Sequence, residues 1–119
     1  MKIAMGANVK VTVGEPARGQ VRAMFEALGV RAQAGHLEHV DVFVLDDGGR
    51  VGFFFVSPSE ALTEAQLASS VWLELRVADV EGATRALDAL SIPREPYADA
   101  AHAYFRAPGG LVLRVAALG

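Results

Sequence analysis

The sequence predicts an α+β fold in which one β-α-β-β-β unit occurs twice within a single domain. Three observations carry this reading. Residues 8–30 ("NVKVTVGEPARGQVRAMFEALGV") and residues 69–92 ("SSVWLELRVADVEGATRALDALSI") each read as a strand, a cap and an amphipathic helix. A glycine-pair turn follows each helix, at Gly48-Gly49 and at Gly109-Gly110. The halves then align: Val13 with Val77, "ALGV" (27–30) with "ALSI" (89–92), and one glycine pair with the other. At 119 residues the chain suits one core shared by two modules better than two independent cores.

In module one, about residues 1–56, Val9, Val11 and Val13 alternate with Lys10 and Thr12, the period-2 pattern of a half-buried strand. Pro16 suits the first turn of a helix. Val21, Met24, Phe25 and Leu28 make one apolar stripe, and Gly29 caps it. Residues 31–39 are weakly patterned and are assigned a short edge strand. Residues 40–45 and 50–56 are strands joined by Asp46-Asp47-Gly48-Gly49, a hairpin signal. Ser57 and Glu60 read as a capping box around Pro58, so a linker helix is expected at about 57–69.

Module two, about 70–119, restarts with Leu73, Leu75 and Val77 alternating with Glu74 and Arg76. Asp79 is the expected N-cap of a helix carrying Val80, Ala83, Leu87 and Leu90 on one face. Pro93 and Pro96 end it. "HAYFRA" and "LVLRVAAL" are strands around the turn at residues 108–110.

Composition removes several function classes. The net charge of −3 leaves no basic footprint for nucleic acid. No apolar run reaches the roughly 20 residues of a membrane helix, so no membrane partner is expected. The N-terminal stretch lacks the apolar segment of a secretory signal, which predicts a cytoplasmic location. With no cysteine there is no disulfide, thiolate ligand or cysteine nucleophile.

"LELRVADVEGATRALDALSI" and "AYFRAPGGLVLRV" resemble the second-module opening and the closing hairpin of the vicinal oxygen chelate superfamily, which includes glyoxalase I, bleomycin resistance proteins and extradiol dioxygenases. The resemblance implies a curved eight-stranded mixed sheet around a cavity, formed by the two modules. It also implies that metal-dependent members take ligands from the first and last strand of each module: a His or Gln, then a Glu. Carried onto this chain, those positions fall on Asn8, Phe53, Trp72 and Arg114. A divalent metal wants imidazole or carboxylate donors, and an Arg guanidinium would repel it. The resemblance is therefore to the metal-free branch, with no cofactor, and implies a homodimer with a small organic molecule in its groove.

Strand alternation then gives two faces. Asn8, Lys10, Thr12, Phe53, Phe55, Trp72, Glu74, Arg76, His102, Tyr104, Arg106, Val112 and Arg114 share the cavity face. Val9, Val11, Val13, Phe54, Leu73, Leu75, Val77, Phe105, Leu111, Leu113 and Val115 share the helix-covered face. The expected ligand residues are Asn8, Phe53, Phe55, Trp72, Glu74, Arg76, Tyr104, Arg106 and Arg114, with Trp72 stacking on an aromatic ligand or filling the groove itself. The arginines suit an anionic group, although Glu74 is placed to pair with Arg114. The leading reading is a binding protein that sequesters an aromatic or anionic molecule, such as an antibiotic. The alternative is a lyase, isomerase or dioxygenase-like enzyme that uses a relocated metal or no metal, for which His36, Glu38 and His102 are the residues to mutate. His102 is the candidate general base, and the sequence names no acid beside it.

Overall fold

The computed structural model describes residues 1–33 and 37–119. Its alternating valines make β1 (Asn8–Gly14), after which Pro16 sits in a 3-10 turn and the helix proper, α1, spans Arg18–Ala27. Val21, Met24 and Phe25 are its buried residues, as the stripe predicts. Gly29 closes it in the left-handed region at φ 85°. Strands β2 (Val40–Val44) and β3 (Arg50–Val56) flank the first hairpin. The second module repeats the plan with β4 (Trp72–Val77), α3 (Val80–Ala89), β5 (Ala103–Arg106) and β6 (Val112–Ala117). Asp79 caps α3 as expected, accepting from the Gly82 N–H at 2.9 Å.

Two three-stranded mixed sheets result, in the orders β1-β3-β2 and β4-β6-β5. In each, the module's first strand runs parallel to its last and the hairpin partner runs antiparallel. The described residues thus hold six strands rather than the eight expected. Where the missing edge strands would lie there are single bridges, Ala32 to Phe43 and Arg94 to Phe105. In module two, Pro93 and Pro96 flank Arg94, and the segment makes one bridge but no ladder.

One apolar cluster joins the halves. Phe25, Phe43, Phe53 and Phe55 from module one share it with Leu87, Phe105, Leu113 and Val115 from module two. Phe25 stacks on Phe43 at 4.0 Å and meets Phe53 edge-on at 5.8 Å. Beside this core Asp41 is 3% exposed, and both of its oxygens are held by Arg18 and Arg22 of α1.

Two local expectations need correction. The linker is a 3-10 turn (Pro58–Glu60) followed by α2 (Glu64–Ala68), and Ser57 caps nothing with its side chain. The capping box is instead Thr63 with Gln66, bonded in both directions at 2.9 and 3.1 Å. The Pro58 ring fixes one turn but leaves Ala61 in extended backbone, so the helix must restart.

The second correction concerns register. The first hairpin closes with Gly48 N–H on the Leu45 carbonyl, the second with Gly110 N–H on the Ala107 carbonyl. Gly48 therefore corresponds to Gly110, not to Gly109, and every module-one residue after the turn shifts by one against the sequence alignment. A slip of one exchanges the faces. Phe53 and Phe55 lie under α1 in the core, at 0% and 2% exposure, opposite Val11 and Val13. They do not line a cavity. Phe54 takes the outer face, with the Lys10 ammonium 4.6 Å from its ring centroid.

Candidate functional site

With the registers known, the outer face of the second sheet can be assembled. Trp72 and Val112 are cross-strand partners, as are Glu74 and Arg114, and Arg76 and Ala116. Tyr104 lies opposite Arg114, and Arg106 opposite Val112. Leu73, Leu75, Phe105, Leu113 and Val115 belong to the core. The structure thus brings Trp72, Glu74, Arg76, Tyr104, Arg106 and Arg114 onto one face, as the alternation requires. Linker helix α2 adds Ala68, which packs with Tyr104 and Val112.

At one corner of this face, where edge strand β4 begins, is a half-exposed indole, Trp72, at 39%. The Arg114 guanidinium lies 4.9 Å from its ring and Tyr104 meets it edge-on at 6.0 Å. Tyr97 from the loop before β5 packs on Tyr104 at 4.5 Å. Three aromatic rings and one planar cation therefore adjoin.

Charges on the face are largely paired. Arg106 makes two hydrogen bonds to Glu95, at 2.8 and 3.0 Å. Arg114 donates through Nη1 to the Tyr104 hydroxyl at 3.3 Å. Its Nε is 2.8 Å from Glu74 Oε2, but that N–H is not aimed at the carboxylate and makes no hydrogen bond. Arg76 is the most exposed of the three, 3.6 Å from Glu74. Only Arg76 offers a substantially free guanidinium for an anion, so the expected anionic preference is weakened.

His102, named from the sequence without an acid partner, has one. Its Nδ1 is 2.6 Å from Asp99 Oδ2, and the Tyr104 hydroxyl donates to the same oxygen at 3.0 Å. The Ala101 N–H holds Oδ1 at 2.8 Å. The His102 hydrogen bond, then the Ala101 N–H, keep the Asp99 carboxyl below the usual carboxylate range. Sequence reasoning missed Asp99 because the loop has no period to place it. The three-residue spacing from Asp99 to His102 was the available signal.

Asn8 lies on the other sheet. It lines an open groove of about 320 Å³ with Gln33, Arg50, Gly52 and Phe54. The corrected register also changes the position implied by the family pattern. Lys10 stands to Gly52 as Glu74 stands to Arg114, so the module-one last-strand site is Gly52, with no side chain. The four positions are Asn8, Gly52, Trp72 and Arg114, and their donors do not fit a divalent metal. A second concavity, about 230 Å³, lies on the helix side between Gln20, Glu64, Ser91 and Pro108. Of the segment at residues 36–39, His36 lies outside the described residues. Glu38 and His39 are exposed, 3.8 Å apart. Among the described residues no three metal-ligating side chains converge, and no helix is long and apolar enough to cross a membrane.

No protein-family model matches the sequence, and no curated protein matches it significantly. Solved structures do. A possible glyoxalase from Bacillus cereus superposes with a TM-score of 0.69 at 17% identity, covering 95% of this chain and 99% of that one. A bleomycin resistance determinant encoded on the transposon Tn5 gives 0.63 at 18%, covering 96% and 98%. The trypanothione-dependent glyoxalase I of Leishmania major gives 0.65 at 12%, covering 97% and 87%. From end to end, this chain has the fold of the glyoxalase and bleomycin resistance proteins, the vicinal oxygen chelate fold.

Proposed function

We propose that this chain is a metal-free binding protein of the glyoxalase/bleomycin resistance type, holding a planar aromatic molecule against the outer face of its second sheet. The observation that carries the reading is Trp72, an indole left half exposed on a strand and flanked by Arg114 and Tyr104. An indole that merely filled a groove would be buried like Phe53. A flat ring placed on Trp72 gains stacking and displaces water from an apolar surface. Arg76 stands at the margin for a polar substituent. The donor set at the family's metal positions supports the metal-free assignment, and an antibiotic is one ligand of this chemistry.

Trp72 is the sole tryptophan, so its fluorescence reports the site directly. Titration with planar aromatics such as naphthoate and nitrobenzotriazole is expected to quench it saturably. Trp72→Ala should weaken binding about tenfold, equivalent to about 1.4 kcal/mol, as followed by thermal shift. Stoichiometric zinc, manganese, nickel or iron in protein purified without chelators would overturn the metal-free reading. We further propose a homodimer, supported by β1 and β4, which stand at sheet edges with no further ladder partner among the described residues, and by the exposed Val71 beside Trp72. Sedimentation should give twice the chain mass.

A further inference from the structure

The Asp99–His102 pair has no role in holding a flat ring, yet it borders the aromatic cluster. It shares Asp99 Oδ2 with the hydroxyl of Tyr104, the ring that contacts both Trp72 and Tyr97. An ionised carboxylate only accepts hydrogen bonds, so His102 Nδ1 must carry the proton. The lone pair of the neutral ring is then on Nε2, which has no hydrogen-bond partner among the described residues. Asp99 is fixed in turn by the Ala101 N–H, and the Arg114 guanidinium is 3.8 Å from its shared oxygen. An oriented imidazole with a backing carboxylate and a free nitrogen is the arrangement of a general base.

We propose that His102 is a catalytic base, with Asp99 as its positioning residue, and that the chain abstracts a proton from a planar aromatic substrate bound at Trp72. The proposal rests on the ligand reading above. Nε2 takes the substrate proton and the ring becomes an imidazolium. Asp99 stays ionised and offsets that charge. The electron pair left on the substrate either forms a new π bond as a leaving group departs, or is reprotonated by the same nitrogen at a neighbouring atom.

The test uses 5-nitrobenzisoxazole with the full-length protein. Its C3 proton passes to His102 Nε2, the C–H pair becomes the third C–N bond, the N–O bond breaks, and the coloured phenolate carries the charge away. The wild-type rate should exceed that of His102→Ala by about a hundredfold. Asp99→Asn should lower kcat about tenfold with KM unchanged, a split that general loosening of the loop would not give. His39→Ala should keep the wild-type rate. Trp72 quenching by 6-nitrobenzotriazole, recorded on each variant, shows that the site is folded and loaded. Quenching with equal rates for wild type and His102→Ala overturns the base and leaves the binding reading standing. Neither quenching nor turnover overturns both.

Discussion

Ser91 occupies the left-handed region at φ 58°, the position after α3 that Gly29 fills after α1 at φ 85°. In both cases the chain turns back into its own helix: the Ile92 N–H reaches the Leu87 carbonyl, and the Val30 N–H reaches that of Phe25. A serine there crowds its Cβ against the backbone, whereas glycine does not. Ser91→Gly is expected to stabilise the protein by about 1 kcal/mol and raise Tm by about 4 °C, read by calorimetry. The glycine that marks the cap of α1 is legible in the sequence, but the site's second half is not. Asp99 and His102 are legible as a pair only once Tyr104 is known to bond the same oxygen, and that needs the loop's path.

At the scale of elements, helix and strand placement was legible wherever polarity alternated. β1 and β4 carry Lys10, Thr12, Glu74 and Arg76 among their aliphatics, so their faces follow from the sequence. β3 carries Phe53, Phe54 and Phe55 in a row, and three equal residues give no amphipathic signal to fix register. The glycine pair, taken as the anchor instead, misplaced them by one. A buried charge adds a second constraint on this module. Asp41 on β2 joins α1 to the sheet through Arg18 and Arg22, and the Arg22 hydrogen bonds, then those of Arg18, hold its carboxyl below the ordinary range. The folded state therefore binds that proton less readily than the unfolded chain. Stability from this group is present above the unfolded pKa of about 4 and is lost as pH falls through the lower folded value. Asp41→Asn should cost about 2 kcal/mol near neutrality, less than a fully enclosed pair because Arg22 is half exposed, and should flatten the acid limb of a stability–pH curve below about pH 4.

On the scale of the whole molecule, duplication raises the question of whether the modules unfold separately. The second hairpin answers it. A methyl group on Gly110 would lie 2.6 Å from the Glu64 carbonyl oxygen, and one on Gly109 would lie 2.8 Å from Val13 Cγ1. The turn of module two is thus pressed against the linker helix and the first strand of module one, at φ values of 108° and 90° that favour glycine. Behind it the aromatic cluster around Phe25 runs without a break into Leu87, Phe105 and Leu113. Neither half can open without exposing apolar surface of the other, so unfolding is expected to be a single transition with equal calorimetric and van't Hoff enthalpies. Gly110→Ala tests the joint itself: it collides with backbone that cannot step aside and strains its own dihedral angle, at a cost of about 2 kcal/mol or more. Denaturant melts followed by Trp72 fluorescence, which reports module two, and by amide exchange at Val11 and Val13, which reports module one, should fall together in this variant. Loss of stability confined to module two would show that the modules are independent and that their shared core does not couple them.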